Sequence, residues 1–223
     1  ATKAMASLQI EATKENLDEF GNKLAVGASK AGATVSELGE AILTVGGTAA
    51  NLKGGTTELI TALGKLADVG LVGAEGGTHL RNVILSLQSP TKDAREIMEQ
   101  LGLEVYDAQG NMRQLDDILT DLNTVMDGMT QGDKDSIINA LFNKTDLAAV
   151  NGLLAAQGEQ WETLATQIDN ADGLFAVQNR ENERNDGCAE HFAQAVKDIE
   201  EVGMLFIQLG DIEHGGKIGL GKI

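Results

Sequence analysis

Apolar residues recur every three or four positions along most of this chain, and glycines interrupt the pattern at short intervals. That spacing places apolar side chains along one face of an α-helix. The chain has 27 glycines and a single proline, Pro90, so the breaks between helices must be made mainly by glycine and by capping residues. The pattern therefore predicts many short helices.

Aromatic residues make up 3% of the sequence, which limits how a core can be assembled. Aromatic side chains bring the largest single burial areas, so any core here must be built from Leu, Ile, Val, Met and Ala. That composition favours helix-on-helix packing over a sheet sandwich. At 223 residues the chain is long enough for one domain of ordinary size plus an appendage.

Local signals predict where several helices begin and end. Thr34 and Glu37 match a capping box, in which each side chain satisfies an unpaired backbone N–H. Gly70 is well placed to end the third helix. The fourth helix is expected to begin near Thr78 and to end before Pro90, because the residue preceding a proline avoids helical geometry.

The stretch after Pro90 is predicted to contain a helix and then a small hairpin. Thr91 is placed to cap the helix and Gly102 to end it. Alternating residues then flank the turn sequence Asp-Ala-Gln-Gly-Asn at 107–111, which predicts one small β-hairpin at about 103–113. Helical spacing resumes at Leu115, and no parallel sheet is indicated.

The predicted fold class is mainly α, a compact multi-helix module with that hairpin and a C-terminal helix after a polar linker. Residues 179–187 are wholly polar, a composition that cannot offset the entropy of ordering by burying apolar surface. The predicted domains are a helical core module at 1–172, a polar linker at 173–187, a C-terminal helix at 188–210 and a flexible glycine-rich tail at 211–223.

The net charge of -17 repels phosphate backbones and anionic lipid headgroups, so direct binding of nucleic acid is not expected. The single cysteine, Cys188, cannot form an internal disulfide, and no apolar run approaches the roughly 20 residues that span a bilayer. The first residue is Ala1 rather than a methionine, which we interpret as a sign of processing or of a fragment from a longer protein.

Candidate metal-binding and catalytic residues are few. Cys188 and His191 could lie on one helical turn, but two ligands do not make a zinc site. Glu159 and Glu162 beside Trp161 come nearest to a hydrolase site, and we interpret them as surface residues around a half-buried tryptophan. Acidic residues that we interpret as solvated caps at helix starts are Asp116, Asp117, Asp121, Asp133 and Asp135. No cofactor, metal ion or catalytic residue is predicted.

Several motifs, in an unbroken order, resemble the core region of phage tail tape measure proteins, in the phage-related minor tail protein family. They are Gly-Leu-Val-Gly-Ala-Glu-Gly-Gly-Thr-His-Leu-Arg at 70–81, Leu-Ser-Leu-Gln-Ser-Pro-Thr at 85–91 and Leu-Gly-Leu-Glu-Val-Tyr-Asp-Ala-Gln-Gly-Asn-Met-Arg at 101–113. The similarity covers about 17–168, and ordered motifs are more specific together than singly. The positions that match the family signature are Gly77, Thr78, Leu80, Arg81, Pro90, Gly102, Asp107 and Gly110.

The resemblance implies a structural component of a phage or prophage tail that acts in tail assembly, length determination and genome ejection. It implies a place in the lumen of the tail tube in the virion, and in the host cytoplasm during assembly. The implied partners are tail tube and tail tip proteins, tail assembly chaperones, further copies of the chain and, at ejection, the host membrane. No catalytic residue is implied in this region.

Two alternative functions remain open at this point. The glycine-rich apolar stretch at 202–223 could belong to a membrane-active, channel-forming segment released from the tail tip. A cell-wall hydrolase is the other alternative, because tape measure proteins can carry such domains elsewhere along their length.

Chain length bears on the ruler role that the resemblance implies. One uninterrupted helix of this length would span roughly 335 Å, and the glycine breaks predict something much shorter. We therefore hypothesise that this segment is a folded module beside the measuring rod and not the rod itself.

Overall fold

Ten α-helices make up most of residues 2–171, the part of the chain that the computed structural model describes. The longest of them has 17 residues, a length of about 26 Å, so the expectation of many short helices is confirmed there. The helices are α1 (Thr2–Ser7), α2 (Lys14–Lys30), α3 (Val35–Val45), α4 (Gly55–Asp68), α5 (Gly73–Gln88), α6 (Lys92–Leu101), α7 (Leu115–Val125), α8 (Gln131–Leu141), α9 (Leu147–Ala155) and α10 (Glu159–Asp169). Short 3-10 turns lie at Gly46–Ala49 and Lys144–Asp146.

Helix α4 is the centre of the packing, and it contacts α2, α3, α5, α9 and α10. Most of its residues are buried, since neighbouring helices surround it on several sides. The contact with α2 is close because Gly27 has no side chain: a Cβ there would lie 2.3 Å from Cγ2 of Ile60. The core is mainly aliphatic, as the scarcity of aromatic residues predicts, and Phe20, Phe142 and Trp161 are its aromatic members.

Helices α3 and α5 make the most extensive contact between helices of the described region. Their backbones approach directly at Gly77, where an added Cβ would lie 2.4 Å from the carbonyl oxygen of Ala41 and 2.8 Å from Cβ of Thr44. Any side chain larger than hydrogen would therefore force the two helices apart.

Several helix ends lie where the sequence predicts them. The Thr34 and Glu37 capping box is present, with both reciprocal hydrogen bonds. The side chain of Thr91 accepts a hydrogen bond from the N–H of Ala94 at the start of α6, and Gly102 ends that helix with a left-handed φ of 66°. These predictions are confirmed, since a cap depends on residues within one turn of each other.

The predicted start of the fourth helix near Thr78 is wrong, because α5 begins five residues earlier at Gly73. No side chain caps this helix start, so the signal that a threonine or serine would provide is missing. Thr78 instead lies within the helix, where its hydroxyl donates to the carbonyl of Ala74 at 2.8 Å. Gly76 and Gly77, in the first turns of α5, are both buried, and Gly77 lies against the backbone of α3.

The predicted β-hairpin at about 103–113 is also wrong, because the described residues contain no strand and no sheet. A single antiparallel bridge joins Tyr106 to Met112. The flanking helices leave only short stretches of chain for pairing, since α6 ends at Leu101 and α7 begins at Leu115. The alternation that predicted strands instead places apolar side chains in the helical core.

The remaining predicted elements lie outside the described residues. They are the polar linker at 173–187, the C-terminal helix at 188–210 and the glycine-rich tail at 211–223. The boundary of the core module at 172 likewise stays a prediction.

Candidate functional site

Four of the family-signature residues lie on α5, where they face different surroundings. Leu80 is fully buried in the core, and Gly77 lies in the close contact with α3. Thr78 and Arg81 are exposed, and Arg81 makes no ion pair within the described part of the chain. The structure therefore does not bring these four side chains together into a binding site.

The other four signature residues lie at turns that follow α5 and α6. Pro90 separates the two helices, and Gly102 and Gly110 both have a positive φ, 66° and 82°. Asp107 accepts hydrogen bonds from the N–H groups of Gln109 (3.0 Å) and Asn111 (2.9 Å). The bond from Asn111 is the largest of the effects that hold the pKa of Asp107 below its usual value. These residues shape the backbone between helices.

Glu58 is a buried carboxylate, 4% exposed, that joins two helix starts. One oxygen accepts the N–H of Gly54 at 2.7 Å, and the other accepts the N–H of Leu115, the first residue of α7. Helix α7 has no side-chain cap of its own, so Glu58 supplies an acceptor that Gln114 does not. Burial raises the pKa of Glu58, and its two backbone hydrogen bonds act in the opposite direction.

Asp116 lies in the first turn of α7 close to Glu58, Asp117 and Glu162. Burial, followed by repulsion from these three carboxylates, raises the pKa of Asp116 to about 6. Its Oδ1 atom is buried and has no hydrogen-bond partner among the described residues. Asp116 lies at a helix start, as interpreted, but the interpretation that it is solvated is wrong for one of its two carboxylate oxygens.

The residues that most resemble a hydrolase site in the sequence, Glu159, Trp161 and Glu162, divide between the surface and the core. Glu159 and Glu162 are exposed on α10. Trp161 is 4% exposed, so it is buried rather than half-buried. The two glutamates therefore flank a core tryptophan.

A second buried carboxylate, Asp146, connects α5 to the start of α9. Its Oδ1 lies 2.7 Å from Nδ1 of His79 and accepts from the side-chain amide of Asn82 at 3.1 Å. Asp146 is 1% exposed. Sequence reasoning missed both this contact and the burial of Glu58, because partners 57 to 67 positions apart show no local pattern.

The described residues show neither a cluster of metal ligands nor a membrane-spanning helix. Within residues 2–171, no group of three or more His, Cys, Asp or Glu side chains could hold a metal ion. Cys188 and His191 lie outside the described residues. None of the helices described is both long enough and apolar enough to cross a membrane.

Comparisons with known proteins converge on one family. The model of the phage-related minor tail protein family matches residues 1–143. The tape measure protein of Pneumococcus phage Dp-1 is 28% identical over 182 residues, which is 82% of this chain and 16% of that protein. The probable tape measure protein of Escherichia phage P2 is 26% identical over 110 residues, 49% of this chain and 14% of that protein. No solved structure matches the chain significantly.

The chain matches only a small share of the length of each relative. The chain spans about a sixth of the length of the first relative and about a seventh of the second. The matched region is therefore a short part of each of those proteins.

Proposed function

This chain belongs to the phage-related minor tail protein family and is a structural component of a phage tail, and from that premise we propose that it is a folded module of a tape measure protein. The module would act in tail assembly, length determination and genome ejection. The observation that carries the proposal is its build: ten short helices, five of which pack against α4, and none longer than 17 residues within the described region.

A compact module is a poor measuring rod. If the described residues formed one helix they would extend roughly 255 Å, whereas the longest helix present spans about 26 Å. Closure of α2, α3, α5, α9 and α10 around α4 buries the apolar residues of this region in a shared core. We propose that the module lies beside the rod and serves in assembly, docking or release.

The proposed place of the module is the tail interior of the virion, after a stage in the host cytoplasm. The proposed partners are tail tube and tail tip proteins, tail assembly chaperones and further copies of the chain, with the host membrane met at ejection. A net charge of -17 supports the absence of a direct nucleic-acid partner, because phosphates would be repelled. We propose that it acts without catalysis, since the two relatives are a tape measure protein and a probable tape measure protein; neither alternative function is favoured by the comparisons.

An insertion experiment distinguishes a module that lies beside the measuring rod from a segment of the rod itself. We expect tail length to stay unchanged when 42 helix-forming residues are inserted after Gly128, an exposed loop glycine between α7 and α8, in the full-length gene. Tail lengths would be measured by electron microscopy of assembled particles. As a control, the same insertion in a long helical region outside this module should lengthen the tail, by up to about 63 Å. Equal lengthening from both sites would contradict the proposal.

A further inference from the structure

Residues 103–107 form no helix between α6 and the turn that precedes α7, and one edge of this segment is paired in antiparallel geometry around the Tyr106 and Met112 bridge. The N–H of Arg113 donates to the carbonyl of Val105, and the N–H of Asp107 donates to the carbonyl of Asn111, each at 2.9 Å. Successive residues of an extended chain direct their main-chain groups to opposite edges. The main-chain groups of Glu104 and Tyr106 therefore make no hydrogen bond to the backbone of residues 111–113.

The opposite edge has free hydrogen-bonding groups. Among the described residues, neither the N–H of Glu104 nor the N–H and carbonyl of Tyr106 makes a backbone hydrogen bond. The carbonyl of Glu104 accepts from the guanidinium of Arg113 at 2.8 Å. Glu104 is exposed, and Tyr106 is 44% exposed, so another chain can reach this edge. An unpaired edge of this kind is a template for a second extended chain.

An open, mainly apolar cavity of about 510 Å³ lies along the same segment. Its apolar lining includes Leu87, Met98, Leu103 and Val105, and the side chain of Tyr106 borders it. The volume is within the range of about 300–1,000 Å³ that is typical of ligand pockets. When an extended peptide adds to a free edge, main-chain hydrogen bonds contribute affinity and such a pocket selects a side chain.

The charges around the cavity favour a basic occupant. Arg95, Glu99 and Glu104 line it, a balance of one positive and two negative charges. The chain as a whole carries a net charge of -17, so a second copy would be repelled and a basic segment attracted.

We propose that the edge at Glu104 and Tyr106 binds an extended, basic polypeptide segment of a different protein, with one apolar side chain of that segment in the 510 Å³ cavity. The edge would bind such a segment whether or not the module takes part in setting tail length.

Binding can be tested with the 223-residue chain and synthetic seven-residue peptides. The probe is acetyl-Lys-Val-Lys-Leu-Lys-Val-Lys-amide, and the control replaces every lysine with glutamate. Amide chemical shifts report the contact site and the dissociation constant. We expect the N–H signals of Glu104 and Tyr106 to shift, and the basic peptide to bind at least about tenfold more tightly than the acidic one. Absence of shifts at these two amides would overturn the proposal.

Removal of the N–H of Glu104, a hydrogen-bond donor on the unpaired edge, gives a sharper test. Glu104→Pro deletes an N–H that makes no native hydrogen bond, whereas Glu104→Ala removes the same charge and keeps the donor. We expect the proline variant to bind at least about tenfold more weakly than the alanine variant. A peptide N-methylated at its central residues should lose binding to the unaltered chain, which covers the case in which the proline variant misfolds.

The outcomes distinguish the possible occupants. Equal affinities of the proline and alanine variants, or undiminished binding of the N-methylated peptide, would show that the edge is not the site. Shifts of the Glu104 and Tyr106 amides that depend on protein concentration without peptide would show that a second copy occupies the edge, and would overturn a basic heterologous partner.

Discussion

The crossing of α3 and α5 and the segment from Pro90 to Arg113 are adjacent in the chain but are held in opposite ways. At the crossing, Gly77 brings two helix backbones into direct contact. The segment is held by a threonine cap, two glycines with positive φ and the hydrogen bonds of Asp107. Where two backbones touch, the structure cannot relax around an added side chain. A substitution that removes a cap or a turn hydrogen bond disturbs only the residues nearby.

The largest expected effect is at the crossing. Gly77→Ala places a methyl group against the carbonyl oxygen of Ala41, and backbone atoms cannot move aside as a flexible side chain can. We expect the free energy of unfolding to fall by about 3 kcal/mol, the upper end of the usual cost of overpacking. Chemical denaturation followed by circular dichroism measures this change.

Gly39→Ala on α3 is the matched control, because a Cβ there would meet nothing within 4 Å. We expect it to raise the free energy of unfolding by about 0.5–1 kcal/mol, since alanine favours a helix interior over glycine. Similar effects of the two substitutions would mean that the α3 and α5 backbones are not in direct contact.

A second, smaller effect is expected at Glu58, which joins α4 to α7 just beyond the end of the segment. Glu58→Ala leaves the N–H groups of Gly54 and Leu115 without their acceptor. We expect a loss of about 2 kcal/mol in unfolding free energy, and a smaller loss for Glu58→Gln, which keeps one acceptor oxygen. Glu159→Ala, at an exposed position of α10, should change stability by less than about 0.5 kcal/mol. A cost at Glu58 no larger than at Glu159 would contradict the bridging role.

The pH dependence of stability should reveal Asp116. Its folded pKa, about 6, lies above the usual 3.8, so its ionisation opposes folding above pH 6 and this cost disappears as the pH falls towards 4. Stability should therefore increase on mild acidification, by about 1 kcal/mol from this partly exposed group after allowance for solvent screening. Asp116→Asn should be more stable at pH 8 and should flatten this part of the profile. An unchanged profile would remove Asp116 as the cause.

The smallest effect is expected in the turn. Asp107→Ala removes the acceptor for the N–H groups of Gln109 and Asn111, while Asp107→Asn keeps an acceptor oxygen. We expect faster hydrogen exchange at those two amides in the alanine variant and almost none of this change in the asparagine variant. Exchange that also speeds up in α3 or α5 would show that the segment is not independent of the crossing.

Helix ends were predictable where capping residues mark them. The box at Thr34 and Glu37, the cap at Thr91 and the stop at Gly102 depend on neighbours within one turn. The start of α5 was not predictable in this way, since Gly73 begins it without a side-chain cap and long-range packing holds it in place. A local signal at Thr78 therefore gave the wrong start.

The predictions of a hairpin and of exposed carboxylates were wrong for a related reason. Alternation in 103–113 is compatible with strands, but two helices leave room for a single bridge between Tyr106 and Met112. Glu58 is buried because the start of α7 lies beside α4, and no residue near position 58 in the sequence indicates that contact. Acidic residues are usually exposed, so exposure was the natural expectation.

By itself the sequence determined that the chain is built from many short helices, where several of them end, and which family it belongs to. These properties follow from apolar spacing, capping residues and ordered motifs, each of which acts over a few residues. The tertiary structure alone decided that Gly77 lies against the backbone of α3, that Glu58 bridges α4 and α7, and that one edge of 103–107 stays open. The first two are contacts between distant parts of the chain, and they exist only once the helices have packed. The third is an edge that no described residue covers with a backbone hydrogen bond.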